Sequence, residues 1–196
     1  MAPVNDSVLP DLIPKHGGFR KLRSFQVAQQ VYDATVIFCN RFIERRSRTH
    51  DQMVQAARSG VQNIAEGSIA AATSKKIELK LTAIARASLG ELLLDYEDYL
   101  RQHGLRQWKK DDPEALKVRL GYSGKSDMSD FSDRSDKSDW ETNPPDEFAN
   151  IMICLINQAS FLLWKQLQRL EQDFIKNGGF TEKLYKARQN YRNKNV

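Results

Sequence analysis

Histidine and cysteine are scarce in this 196-residue chain, which has three of one and two of the other, and that scarcity removes most site chemistries at the outset. His16, His50 and His103 stand in separate segments with no second ligand at metal spacing. Cys39 and Cys154 fall inside apolar helical patterns, away from any CxxC or Cys/His arrangement, and are expected to be reduced core or interface residues of a cytoplasmic protein. No GxSxG, phosphate-cradling GxxxxGK[ST] or dinucleotide fingerprint occurs, so no catalytic residue, metal site or cofactor is expected. Arg58 with Glu66, or Glu91 with Asp95, has the form of a catalytic pair, but paired polar groups on helices are more often salt bridges or hydrogen bonds. No uninterrupted apolar run approaches the roughly 18 residues of a membrane span. The first 20 residues carry three prolines and two glycines without the charge and apolar pattern of a leader, and are expected to be a flexible segment.

What is present is helical periodicity. Hydrophobic residues make up 40% and charged residues 28%, ordinary for a globular chain, and almost nothing shows the period of two that marks strands. The expected fold is all-α: an antiparallel, up-down four-helix bundle over 21–178, with a flexible insertion at about 104–143 and a short C-terminal helix. The first helix is expected over 24–45, capped by Ser24 and burying Phe25, Ala28, Val31, Tyr32, Phe38, Cys39 and Phe42. The second is expected over 49–66, with Thr49 and Gln52 at capping-box spacing and Gly67 as a left-handed closing residue. The third should span 74–102 with a stripe of Ile77, Leu81, Ile84, Ser88, Leu92 and Tyr99. The fourth should begin after Asn143 and end at Gly178-Gly179. Asp112-Pro113 opens a brief helix to Leu120, and a Ser-Asp triplet repeat over 126–140 is too polar to bury a core. It lacks the ligand pattern of an EF-hand.

Two surfaces invite a functional reading. In the second helix, Arg58, Ser59, Gln62, Asn63 and Glu66 share one arc, while Ala57, Gly60, Val61, Ile64 and Ala65 share the other. Arg58, Asn63 and Glu66 are expected to hydrogen-bond this helix to a neighbouring helix or subunit, and Glu91 is expected to be a structural polar group of the same kind. The second surface is cationic. With net charge +5, the chain clusters Arg20, Lys21 and Arg23 ahead of the first helix, Arg45, Arg46 and Arg48 at the first joint, Lys75 and Lys76 at the start of the third helix, and Lys183, Lys186, Arg188 and Arg192 in the basic suffix over 179–196. Such patches contact phosphates of RNA or DNA, or they serve solubility. In the suffix Phe180, Leu184, Ala187 and Tyr191 form an apolar stripe expected to dock on the bundle. Further apolar residues, Leu79, Ala83, Ala87 and Leu94 on the third helix and Ile153, Phe161, Trp164 and Ile175 on the fourth, exceed what one stripe per helix needs. Self-association is the expected cover for them, the alternative being the suffix and the 112–120 segment.

The opening Leu22-Arg23-Ser24-Phe25-Gln26, the run Arg58-Ser59 with Asn63-Ile64-Ala65-Glu66-Gly67, and Ala87-Ser88-Leu89-Gly90-Glu91-Leu92 resemble a family of bacterial four-helix bundle proteins. That family includes products of intervening sequences in 23S rRNA genes and the accessory variability determinant of diversity-generating retroelements. The resemblance spans Lys21 to Gly104 and resumes in the fourth helix, and Gly178-Gly179-Phe180-Thr181-Glu182-Lys183 looks like the suffix of one subgroup. It implies a homopentamer without catalytic activity. For retroelement members it implies binding to a reverse transcriptase and to nucleic acid. This chain departs from the family after Gly67, reading Ser68-Ile69-Ala70-Ala71 where many relatives have a Gly-Arg pair, so one phosphate contact is missing there. An alternative role is a protein-interaction scaffold with no part for nucleic acid or membrane.

Overall fold

The computed structural model describes residues 13, 18–123 and 142–194, and among these every regular element is helical. A single 3-10 turn, Phe19–Lys21, leads into α1 (Arg23–Phe42), α2 (Arg48–Ala70), α3 (Lys75–Gln102), α4 (Pro113–Ser123), α5 (Pro145–Asn177) and α6 (Phe180–Lys194). The Ser-Asp repeat and most of the N-terminal segment lie outside the described residues.

Short joints force α1, α2 and α3 to run up, down and up, and the longer connection through α4 returns α5 antiparallel to α3. Each of these four helices packs on two others, α1 on α2 and α5, α3 on α2 and α5, closing a four-helix bundle. At its centre lie Val31, Phe38, Met53, Ile64, Leu89, Leu92, Met152, Leu155 and Leu163, all fully buried. Each such side chain contributes roughly 1.5–3 kcal/mol of transfer free energy. Toward the end where α1 finishes, Phe38 meets the rings of Phe42, Tyr96, Tyr99 and Phe148 at centroid distances of 4.9–5.4 Å, mostly edge to face. Polar groups in this core are satisfied in sequence: the Tyr96 hydroxyl donates to Thr35 Oγ1 at 3.1 Å, and Thr35 donates to the Val31 carbonyl at 2.7 Å.

Several boundaries differ from the sequence expectation. Leu22, not Ser24, precedes α1; Ser24 lies inside the helix, buried, and donates to Gln166 Oε1 of α5 at 2.8 Å. Ser47 rather than Thr49 caps α2, accepting from the Thr49 N–H. Ser74 caps α3, accepting from the Ile77 N–H. Gly67 does not close α2. The helix continues through Ala70, and the only positive φ values among the described residues belong to Gly104 and Gly178. Gly67 instead faces α3 within the helix, with ordinary room for a Cβ, which would sit 3.4 Å from Leu81 Cβ and 3.5 Å from the Glu78 carbonyl.

The buried stripe of α3 is Glu78, Thr82, Ala85, Leu89, Leu92, Tyr96, Tyr99 and Leu100, so Leu92 and Tyr99 are placed as expected. Ile77 and Ile84 are exposed instead, because the stripe follows helical spacing back from Tyr96 and takes polar residues in the first turns. One 18-residue window within the helical stretch 145–193 has a mean hydropathy of 1.3, enough by length and composition to cross a membrane, but half of that window is buried within the protein. Its apolarity is that of a core helix which also supports α4 on its outer face. α4 buries Ala115 and packs Val118 against the core, and Ile153, expected to be surplus, is buried.

Candidate functional site

The up-down topology distributes the predicted cations over two ends of the bundle. Arg20, Lys21 and Arg23 open α1 and Lys75 and Lys76 open α3, so all five gather at one end; the suffix cations Lys183, Lys186, Arg188 and Arg192 continue away from it on α6. Arg45, Arg46 and Arg48 lie at the opposite end, about 30 Å away along the 20 residues of α1. The structure therefore does not bring the predicted cations into one patch.

The two groups also differ in company. At the α1-opening end Arg20, Lys21, Lys76 and the suffix cations are exposed. Lys75 is not a spare charge. It bridges Glu78 Oε2 at 3.1 Å and Asp173 Oδ2 at 3.4 Å, clasping α3 to α5. Burial lowers the Lys75 ammonium's pKa, but the two carboxylates more than compensate and hold it above its ordinary value. Burial raises Glu78 against the pull of Lys75. Asp173 is held below its ordinary value, first by the hydrogen bond from Asn177 and then by Lys75. At the other end Arg45, Arg46 and Arg48 are exposed as well, and other arginines there pair with acids. Arg101 pairs with Asp98 at 2.7 Å, Arg106 pairs with Asp112, and Glu44, Asp51, Asp146 and Glu147 lie at the same end of the topology.

The arc of α2 that carries Arg58, Gln62 and Glu66 faces outward, while Gly60 and Ile64 are buried, as the periodicity predicts. Asn63, expected to hydrogen-bond to a neighbouring helix or subunit, donates within this chain to the Ser59 carbonyl of its own helix at 2.8 Å. Its short side chain reaches the preceding turn first. Glu91 lines a groove of about 600 Å³ between α2 and α3 together with Arg48, Asp51, Gln55, Ser59 and Asp95. Asp95 is raised above its ordinary value by burial, then by the nearby Asp98 and Glu91 carboxylates. Among the described residues no three His, Cys, Asp or Glu side chains gather closely enough for a metal, so the groove's acids are spread rather than convergent.

The surplus apolar surface is real on the C-terminal half of α5, where Phe161 is 55% and Ile175 is 74% exposed, and on α3 at Leu94. Phe161 and Trp164 pack at 5.8 Å between centroids, with Lys165 Nζ 5.0 Å from the Trp164 ring centroid. α4 covers only the earlier half of that α5 face. The suffix, expected to dock, does not: Leu184 and Tyr185 of α6 are exposed, and α6 shares no substantial packing with another helix. Gly178, at φ 66°, breaks the chain direction just before it.

Asn150 is the polar residue that sequence reasoning missed. Nearly buried on α5, it accepts from the Trp108 N–H at 2.7 Å and donates to the Arg106 carbonyl at 2.9 Å and to the Asp146 carbonyl at 2.8 Å, fixing the loop after α3. The available signal was an Asn within an otherwise apolar stretch, since a buried amide requires partners.

The fold and surface define an all-helical bundle of five main helices with a charged terminal helix. No family model, curated protein or solved structure matches the chain.

Proposed function

We propose that this chain is a non-catalytic, homo-oligomeric bundle that binds RNA or DNA through its α1-opening end, in the manner implied by its resemblance to the intervening-sequence and retroelement accessory proteins. The observation that carries this reading is the gathering of Arg20, Lys21, Arg23 and Lys76 at one end, from which the cationic suffix extends. Phosphate contacts of this kind give affinity without base specificity and weaken with salt. The exposed Phe161 and Trp164, which pack together on α5, support the homo-oligomeric part, because exposed apolar clusters mark association sites. A pentamer and a reverse-transcriptase partner belong to the same reading through the resemblance alone.

The test is fluorescence anisotropy with labelled RNA and single-stranded DNA across a salt series. Binding whose affinity falls steeply with salt, and is lost on combined reversal of Arg20, Lys21 and Arg23 to Glu, supports the reading. No binding at low salt sinks it. The same α5 face favours a second reading, a protein-interaction scaffold. Recovery of a stoichiometric protein partner without nucleic acid would select it.

A further inference from the structure

We infer that α6 of one copy docks in the α2–α3 groove of a second copy. The inference rests on the homo-oligomeric part of the proposal and is independent of nucleic-acid binding. The groove is lined by the small residues Ala56, Ser59 and Ser88, with Asp51 beside Arg48 on the α2 side and Glu91 and Asp95 on the α3 side, three acids to one cation. The acids are distributed along the groove, which suits a partner with spaced cations better than a single ion.

α6 has the complementary form. Over 180–194 it carries five lysines and arginines against Glu182 alone. At 100° per residue Phe180, Leu184, Ala187 and Tyr191 fall on one stripe, with Lys183 on one flank and Arg188 and Arg192 on the other. Bulky side chains can lie over a small-residue lining while the long basic stems reach the acids on either side. The carboxylates that raise Asp95 by their proximity would then meet opposite charge.

Reach selects a second copy as the occupant. Gly178 lies at the end where α2 finishes, while Arg48 and Asp51 line the groove near the start of that 23-residue helix, about 30 Å away. The 15 residues of α6 span about 22 Å, so folded back on its own bundle the helix would leave this acidic half of the groove unfilled. A tail-to-groove contact is heterologous, so it closes into a ring or continues as a chain according to its rotation.

The test is analytical ultracentrifugation of the full chain with charge-swap variants. Reversing the tail (Lys183→Glu, Arg188→Glu, Arg192→Glu) or the groove (Asp51→Arg, Glu91→Arg) should each weaken self-association by about tenfold or more, and combining both sets should recover it. Both groove positions are exposed, so circular dichroism should show every variant folded. A Gln55→Cys, Ala187→Cys variant should cross-link between chains. The inference is overturned if single-set reversals leave association unchanged, if the combined set fails to recover it in a folded protein, or if the cross-link forms within one chain. Association that survives tail reversal leaves the homo-oligomeric reading standing on the α5 face, whereas a monomer in every variant and in the parent removes both.

Discussion

The two ends of the bundle are made by the same four helices and hold together by different physics. Where α1 finishes, rings of Phe38, Phe42, Tyr96, Tyr99 and Phe148 interlock beneath a loop tied down by Asn150, and Arg101 and Arg106 above them are paired with acids. Where α1 opens, one ring pair, Phe19 on Phe25, sits over buried Val27, Ala28 and Ile64, and polar ties are added across helices, Ser24 to Gln166 and Lys75 to Asp173. The partly exposed Lys75–Asp173 pair contributes little, and the buried Ser24 bond about 1 kcal/mol. The end where α1 finishes therefore holds the larger aromatic cluster, and the end where α1 opens presents the exposed Arg20, Lys21 and Lys76.

The largest effect expected from this contrast is at Phe38. Truncation to Ala removes a fully buried ring touching four others, and should cost about 3–5 kcal/mol in denaturant unfolding, whereas Ser24→Ala at the opposite end should cost about 1 kcal/mol. Equal costs would erase the distinction between the ends.

Two glycines sharpen the comparison along α2. A Cβ at Gly60 would lie 2.8 Å from Leu89 Cδ2 in the packed centre, so Gly60→Ala should destabilise by about 1–3 kcal/mol. At Gly67, near the open end, the nearest atom is an ordinary 3.4 Å away and the backbone is helical. Gly67→Ala should be neutral or stabilising by up to about 1 kcal/mol through helix propensity. Strong destabilisation there would revive the left-handed turn that the sequence suggested.

Asp95 gives the smallest effect and a pH signature. Because burial and its acidic neighbours raise its pKa, protonation is favoured by folding. Its contribution is fully present below the ordinary aspartate range and is lost as pH rises through the raised value. Asp95→Asn should thus stabilise at neutral pH by a few tenths of a kcal/mol, given the group's partial exposure, and the difference should vanish in acid. A thermal melt series of both proteins from acid to neutral pH checks the sign.

The sequence made the helices, their order and most of the α1 and α5 cores legible, because apolar spacing is set by burial and survives translation into structure. It misplaced the caps at Ser24 and Thr49, since a hydroxyl is equally able to reach another helix, as Ser24 does toward Gln166. It misread Gly67 because a glycine just after the polar arc has the spacing of a left-handed closing residue, whereas the helix runs on through it with ordinary room for a Cβ. The first half of the α3 stripe failed where Glu78 and Thr82 take buried positions, a choice made by Lys75 and by the Glu78 carbonyl rather than by hydropathy. For the candidate site, spacing named the cations but not their grouping. Only the antiparallel course of α1 separates Arg23 from Arg45 by the bundle's length.

That separation supplies the most direct test of the account. RNA affinity would be measured at low and moderate salt for two triple variants, Arg20/Lys21/Arg23 to Glu and Arg45/Arg46/Arg48 to Glu, each confirmed as folded. The account predicts that reversal at the open end abolishes most of the salt-sensitive binding while reversal at the aromatic end changes it little. Equal losses, or a larger loss at the aromatic end, would contradict it.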